Sequence, residues 1–147
     1  MLKLGYFMAK LDLKGAYRSV CIHPDNYRFT GLKWLFNGHS NPTNLVDTRL
    51  PFGCRLSPLH FHKLTQCVHC MMARRGWHTL VVYLDDFLII APSVEQCMRH
   101  LNTLISLVRF LGLAVAWEKI EGPSLKLIFL GVEIDSMQMS LHLLAKK

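Results

Sequence analysis

Two adjacent aspartates, Asp85 and Asp86, stand inside V-V-Y-L-D-D-F-L-I-I, a run whose other residues belong in a core. Two ionised carboxylates about 4 Å apart repel by roughly 4 kcal/mol in a protein-surface dielectric, and burial adds desolvation. A compensating charge is therefore required. One reading is a polar hairpin tip between apolar strands, since Asp suits tight turns. The other is a divalent cation held by the pair together with a third oxygen ligand from elsewhere in the chain.

The elements around the pair decide between these readings. Residues 5–13 form a short apolar run that ends in charge and reads as a buried strand. Residues 31–44 read as a strand followed by a polar loop punctuated by Asn, Gly, Ser and Pro. In L-S-P-L-H-F, Ser57 suits a helix N-cap and Pro58 the first helical position. Phe61, Leu64, Val68 and Met71 follow at helical spacing, Arg74 and Arg75 fit the last turn, and Gly76 closes it. Residues 80–83 and 87–90 make a hairpin around the aspartates. A second helix starts at Ser93, which forms an S-x-x-Q capping box with Gln96. Its apolar stripe is Val94, Cys97, Met98, Leu101, Leu104, Ile105, Val108 and Leu111, and Gly112 ends it. Short strands at 113–117, 127–133 and 139–143 complete the chain.

This order is a split β-α-β-β-α-β arrangement, an α+β class with one ferredoxin-like antiparallel sheet and its helices on one face. The first strand then lies beside the hairpin at the centre of the sheet. Asp12, at the end of that strand, comes next to Asp85 and supplies the third carboxylate. Such a trio suits Mg²⁺, which takes a few carboxylates plus phosphate oxygens and water. Two such ions about 3.5–4 Å apart serve both ends of an in-line phosphoryl displacement.

The 147 residues make one domain, and 51% hydrophobic content with a mean hydropathy of +0.23 leaves apolar surface to spare on so short a chain. A net charge of +7 and a pI near 9.4 favour an anionic partner, nucleic acid first. Five Cys with no secretory leader point to a reduced intracellular compartment, cytoplasmic or nuclear, rather than secretion. Asp85, Arg109 and Glu118 interrupt every apolar run before the roughly 20 residues of a membrane span, so no membrane is expected.

Five stretches in this order resemble the reverse transcriptases. A-K-L-D-L-K-G-A-Y around Asp12 is similar to their first palm motif, L-P-F-G-C-R-L-S-P-L-H-F to the second and Y-L-D-D to the third. L-G-L-A-V-A-W-E-K and F-L-G-V-E-I-D are similar to the fourth and fifth. The wording H-P-D, R-L-P-F-G and E-K-x-x-G-P is most like retrotransposons of the DIRS type. The resemblance implies a palm over residues 1–147, with the N-terminal fingers, thumb and ribonuclease H region lying outside it. It implies an RNA-directed DNA polymerase whose partners are an RNA or DNA template with primer and deoxynucleoside triphosphates. Its cofactor is two Mg²⁺, with Mn²⁺ as the alternative.

Carried onto this chain, the resemblance makes Asp12 and Asp85 metal ligands, Asp86 a ligand or close electrostatic support, and Lys119 the neutraliser or proton donor for pyrophosphate. The alternative for Lys119 is a solvated lysine paired with Glu118 or Glu121. Leu13, Tyr17, Phe52 and Gly53 become the nucleotide site, with the Tyr17 ring excluding a ribose 2′-hydroxyl. Arg55, Tyr83, Phe129, Leu130 and Gly131 become primer and template contacts, the last three as the primer grip. A Tyr at position 17 disfavours an RNA-synthesising polymerase. A non-catalytic remnant or co-opted nucleic-acid-binding domain is the competing reading, and three converging carboxylates argue against it, because without metal they repel phosphate. Cys67, His69, Cys70 and His78 suggest zinc, but helical spacing sets Cys67 and Cys70 on the apolar stripe and the paired knuckle spacing is missing.

Overall fold

The computed structural model describes residues 2–144. In chain order the elements are β1 (Phe7–Asp12), β2 (Gly31–Trp34), β3 (Thr43–Val46), α1 (Ser57–Ala73), β4 (Leu80–Tyr83), β5 (Asp86–Ala91), α2 (Val94–Phe110), β6 (Glu121–Ser124), β7 (Lys126–Phe129), β8 (Val132–Asp135) and β9 (Ser140–Leu143). Short 3-10 turns occupy Ala16–Ser19, Pro24–Phe29 and Trp117–Lys119.

The central sheet has the order β4-β5-β1-β6 and is antiparallel throughout. With α1 between β1 and β4 and α2 between β5 and β6, it is the split β-α-β-β-α-β topology that the sequence implies. Strand alternation gives the sheet two distinct faces. Ala9, Leu11, Phe87 and Ile89 point to the helices and bury against residues such as Phe61, Val68, Leu104 and Val108. Met8, Leu88 and Ile90 point the other way, where Leu127 and Phe129 of a second sheet, ordered β7-β8-β9, cover them. That cover stops short of the strand ends carrying Asp12 and Asp86. β2 and β3 form a separate two-stranded hairpin with all positions exposed.

α2 starts as its capping residues require: the Gln96 amide donates to Ser93 Oγ at 3.2 Å. Its buried side is Cys97, Leu101, Leu104, Leu107 and Val108, whereas Val94, Met98 and Leu111 are exposed. Two helices packed side by side on a sheet leave each only a narrow seam, which excludes the flanks of the expected stripe.

Ser57 does not cap α1. Its hydroxyl donates instead to the Pro51 carbonyl at 2.6 Å, tying the preceding loop to the helix, and Leu56 takes the cap position. Met72 rather than Met71 is buried on α1, and Cys67 and Cys70 are exposed rather than on the apolar stripe. The buried row runs Ser57, Phe61, Thr65, Val68, Met72, so the true face is rotated by about one residue from the expected one.

Residues 113–117 form a single bridge, Val115 to Leu13, in place of a strand, and the fourth strand of the sheet is β6. β6 fits there because Gly122 has no side chain: a Cβ would stand 2.3 Å from the Met8 carbonyl oxygen. The run 127–133 divides into β7 and β8 at Leu130 (φ 51) and Gly131 (φ 78), two positive-φ residues of the kind a two-residue hairpin turn demands.

Candidate active site

Asp12 and Asp86 are cross-strand partners at the ends of β1 and β5, so their side chains leave the same face of the sheet. The partner facing Asp12 is thus Asp86 and not Asp85. Asp85 lies in the β4–β5 turn, held by its carbonyl, which accepts the Leu13 amide at 3.1 Å. The turn is closed by Leu84 at φ 51, a conformation that costs a non-Gly residue energy and keeps the two aspartates adjacent but on different elements. Burial, then the charges of Asp85 and Asp12, pushes the Asp86 carboxyl above its ordinary range, and Lys119 and Lys10 oppose that rise.

Lys119 ends the Trp117–Lys119 turn, which is anchored to β1 by the Ala116 amide donating to the Asp12 carbonyl at 3.0 Å. Its Nζ donates to Asp12 Oδ2 at 2.7 Å, and this bond raises its pKa. The alternative pairing with Glu118 or Glu121 does not form; Glu121 binds Lys10 at 2.8 Å. A carboxylate flanked by two others offers Lys119 the stronger field, which explains the choice.

Asp12, Asp86 and Lys119 line a cleft of about 180 Å³ together with Lys10, Phe129 and Leu130. The site therefore joins the aspartates to the hairpin named as primer grip. Phe129 itself is buried, so that hairpin presents to the cleft its backbone and the exposed Leu130. Tyr83, the cross-strand partner of Asp86, is 55% exposed on the same face. Lys10 was outside the expected set, although its spacing of two from Asp12 on a strand marks it as a neighbour on that face.

The remaining candidates lie outside that cleft. The Tyr17 ring meets Phe52 and Phe61 edge-on at 5.1 and 5.2 Å. Burial, and then Asp85 and Tyr83, raise the pKa of its hydroxyl. Phe52 and Arg55 are exposed, and Gly53 has φ +82 with open space where a Cβ would point. Leu13 lies beside Asp12 on the opposite face of β1. It is 3% exposed in the helix-side core and its amide donates to the Asp85 carbonyl, so it helps set the register of the site.

Among the described residues, no three His, Cys, Asp or Glu side chains are drawn together as a ready metal cage. The donor set still suits Mg²⁺, which takes one or two carboxylates and completes its shell with water and phosphate oxygens. The arrangement can concentrate negative charge at one end of the cleft and lysine charge beside it, which is the polarity a polyphosphate with bound cations requires.

A split β-α-β-β-α-β sheet with helices behind it and aspartates at the meeting of its first strand and hairpin defines a polymerase palm. A family model described as "Reverse transcriptase (RNA-dependent DNA polymerase)" matches residues 2–134, and the chain belongs to that family. The Gag-Pol polyprotein of Gibbon ape leukemia virus is 30% identical over 122 residues, which are 82% of this chain and 7% of that polyprotein. The foamy viral protease-reverse transcriptase, solved in complex with an RNA/DNA hybrid, superposes with a TM-score of 0.80 at 21% identity, over 99% of this chain and 18% of that one. The same enzyme with double-stranded DNA gives 0.79, over 99% and 28%. No helix among the described residues is long and apolar enough to cross a membrane.

Proposed function

We propose that this chain is the catalytic palm of an RNA-directed DNA polymerase that extends a primer 3′-hydroxyl with deoxynucleoside triphosphates on an RNA or DNA template. The observation that carries the proposal is the pairing of Asp12 with Asp86 across the sheet, with Asp85 in the adjoining turn and Lys119 on Asp12. Asp12 and Asp85, with Asp86 beside them, would hold Mg²⁺, or Mn²⁺ in its place, which when bound would supply the charge neutralisation that the attacking oxygen and departing pyrophosphate need. Lys119 adds a fixed positive charge on the leaving-group side. Tyr17, braced between Phe52 and Phe61, blocks a 2′-hydroxyl and so selects deoxyribose. The turn at Leu130 and Gly131 and the exposed Tyr83 and Arg55 are the primer and template contacts.

The finer family assignment is a retrotransposon of the DIRS type acting inside the cell. It is supported by H-P-D at 23–25, R-L-P-F-G at 49–53, E-K-I-E-G-P at 118–123 and F-L-G-V-E-I-D at 129–135, and by five Cys, an odd number. The test is Mg²⁺-dependent primer extension on a primed RNA template by this palm completed with fingers and thumb, beside the same protein carrying Asp85→Asn with Asp86→Asn. Extension by the native protein alone is expected. Equal extension by both defeats the metal-site reading, and nucleic-acid binding without extension by either leaves a binding domain.

A further inference from the structure

We propose that Lys10 is a positioning residue that latches the β7–β8 hairpin to the catalytic sheet and so fixes where the turn at Leu130 and Gly131 stands over Asp12 and Asp86. The proposal rests on the polymerase reading above. Alternation along β1 places Met8, Lys10 and Asp12 on one face. Met8 is buried beneath Leu127 and Phe129, while Asp12 opens into the cleft. Lys10 lies at the boundary, where the second sheet ends and the cleft begins.

An apolar side chain at this position would simply extend the core that Met8 begins. Lysine instead carries a charge to a place where its side chain is only 23% exposed. That is tolerable because two of the three ammonium N–H groups find partners: Nζ donates to the Ile128 carbonyl of β7 at 3.0 Å and pairs with Glu121 Oε1 of β6 at 2.8 Å. One side chain thus ties the strand bearing Asp12 to the hairpin and to the edge strand at once. β7 is an edge strand of its own sheet, so a bond to its backbone is a means of fixing it that leaves its pairing with β8 intact. Lys10 contacts no expected substrate atom, so its action on the reaction runs through the hairpin.

Lys10→Met keeps the stem and removes the ammonium, and Lys10→Arg keeps a charged donor. Amide hydrogen exchange of the 147-residue chain reads the latch directly, and primer-extension kinetics read its use. In Lys10→Met we expect exchange in β7 and β8 to quicken about tenfold, the loss of one hydrogen bond to a charged group, with β4 and β5 unchanged. We also expect the KM for primer-template to rise about tenfold while the KM for triphosphate holds, and Lys10→Arg to reverse both effects. Unchanged protection in β7 and β8 overturns the proposal. So does equal loss of protection in β4 and β5, which would make Lys10 a general stabiliser. If the palm completed with fingers and thumb extends no primer, the polymerase reading falls, and the exchange comparison still upholds or overturns the latch.

Discussion

Tyr17 is wedged between Phe52 and Phe61, and burial, then the charge of Asp85, raises the pKa of its hydroxyl. Removing the ring opens that space without touching a carboxylate. Tyr17→Ala should raise kcat/KM for ribonucleotides relative to deoxyribonucleotides by about tenfold or more, the size of a steric discrimination of a few atoms. Unchanged discrimination would take Tyr17 out of the site. Cys97 makes a second expectation, for its burial on α2 pushes the thiol up to about 11. Because the folded value lies above the unfolded 9.0, the buried neutral thiol contributes stability fully below pH 9.0, and that contribution is lost as pH rises through about 11. Urea midpoints measured on either side of that window should fall less in Cys97→Ala than in the native chain. The site aspartates were legible in the sequence because carboxylates inside an apolar run are costly wherever they sit. The placing of Leu13 and Lys10 was not: whether a residue beside a candidate aspartate faces core or cleft depends on which parts of each sheet face are covered, and that is a property of the assembled layers.

At the scale of elements, β6 depends on one residue. A Cβ at Gly122 would meet the Met8 carbonyl oxygen at 2.3 Å and Ala9 Cα at 2.7 Å, both backbone atoms of β1, and φ is +96. Gly122→Ala should therefore cost at least about 2 kcal/mol by chemical denaturation, combining overpacking with backbone strain. A loss below about 0.5 kcal/mol, the range of ordinary surface changes, would contradict the close approach of β6 to β1. α2 was readable from Ser93 to Gly112 because its cap and its spacing agree. β3 and β6 were not, since T-N-L-V and E-G-P-S carry no strand alternation and are held by the strands they pair with. The face of α1 was misjudged by one residue because Ser57 and Thr65, both polar, belong to its buried row.

The whole molecule settles its own electrostatics before any ligand arrives. Asp12 and Asp86 pair across one end of the sheet with Asp85 in the adjoining turn, and Lys119 and Lys10 stand against them. A domain whose acidic cluster lacked such partners would need its metal in order to fold, as small zinc modules do. Here the thermal midpoint in EDTA should match that in buffer alone. Lys119→Met should lower the midpoint, and millimolar Mg²⁺ should restore part of the loss; a native protein that unfolds in EDTA would refute this. On the proposed function, the Asp12–Lys119 pair would separate two events in time. The lysine would serve as a resident placeholder that lets the chain finish folding without a cation, and an ion arriving later would share with it a carboxylate already held in place.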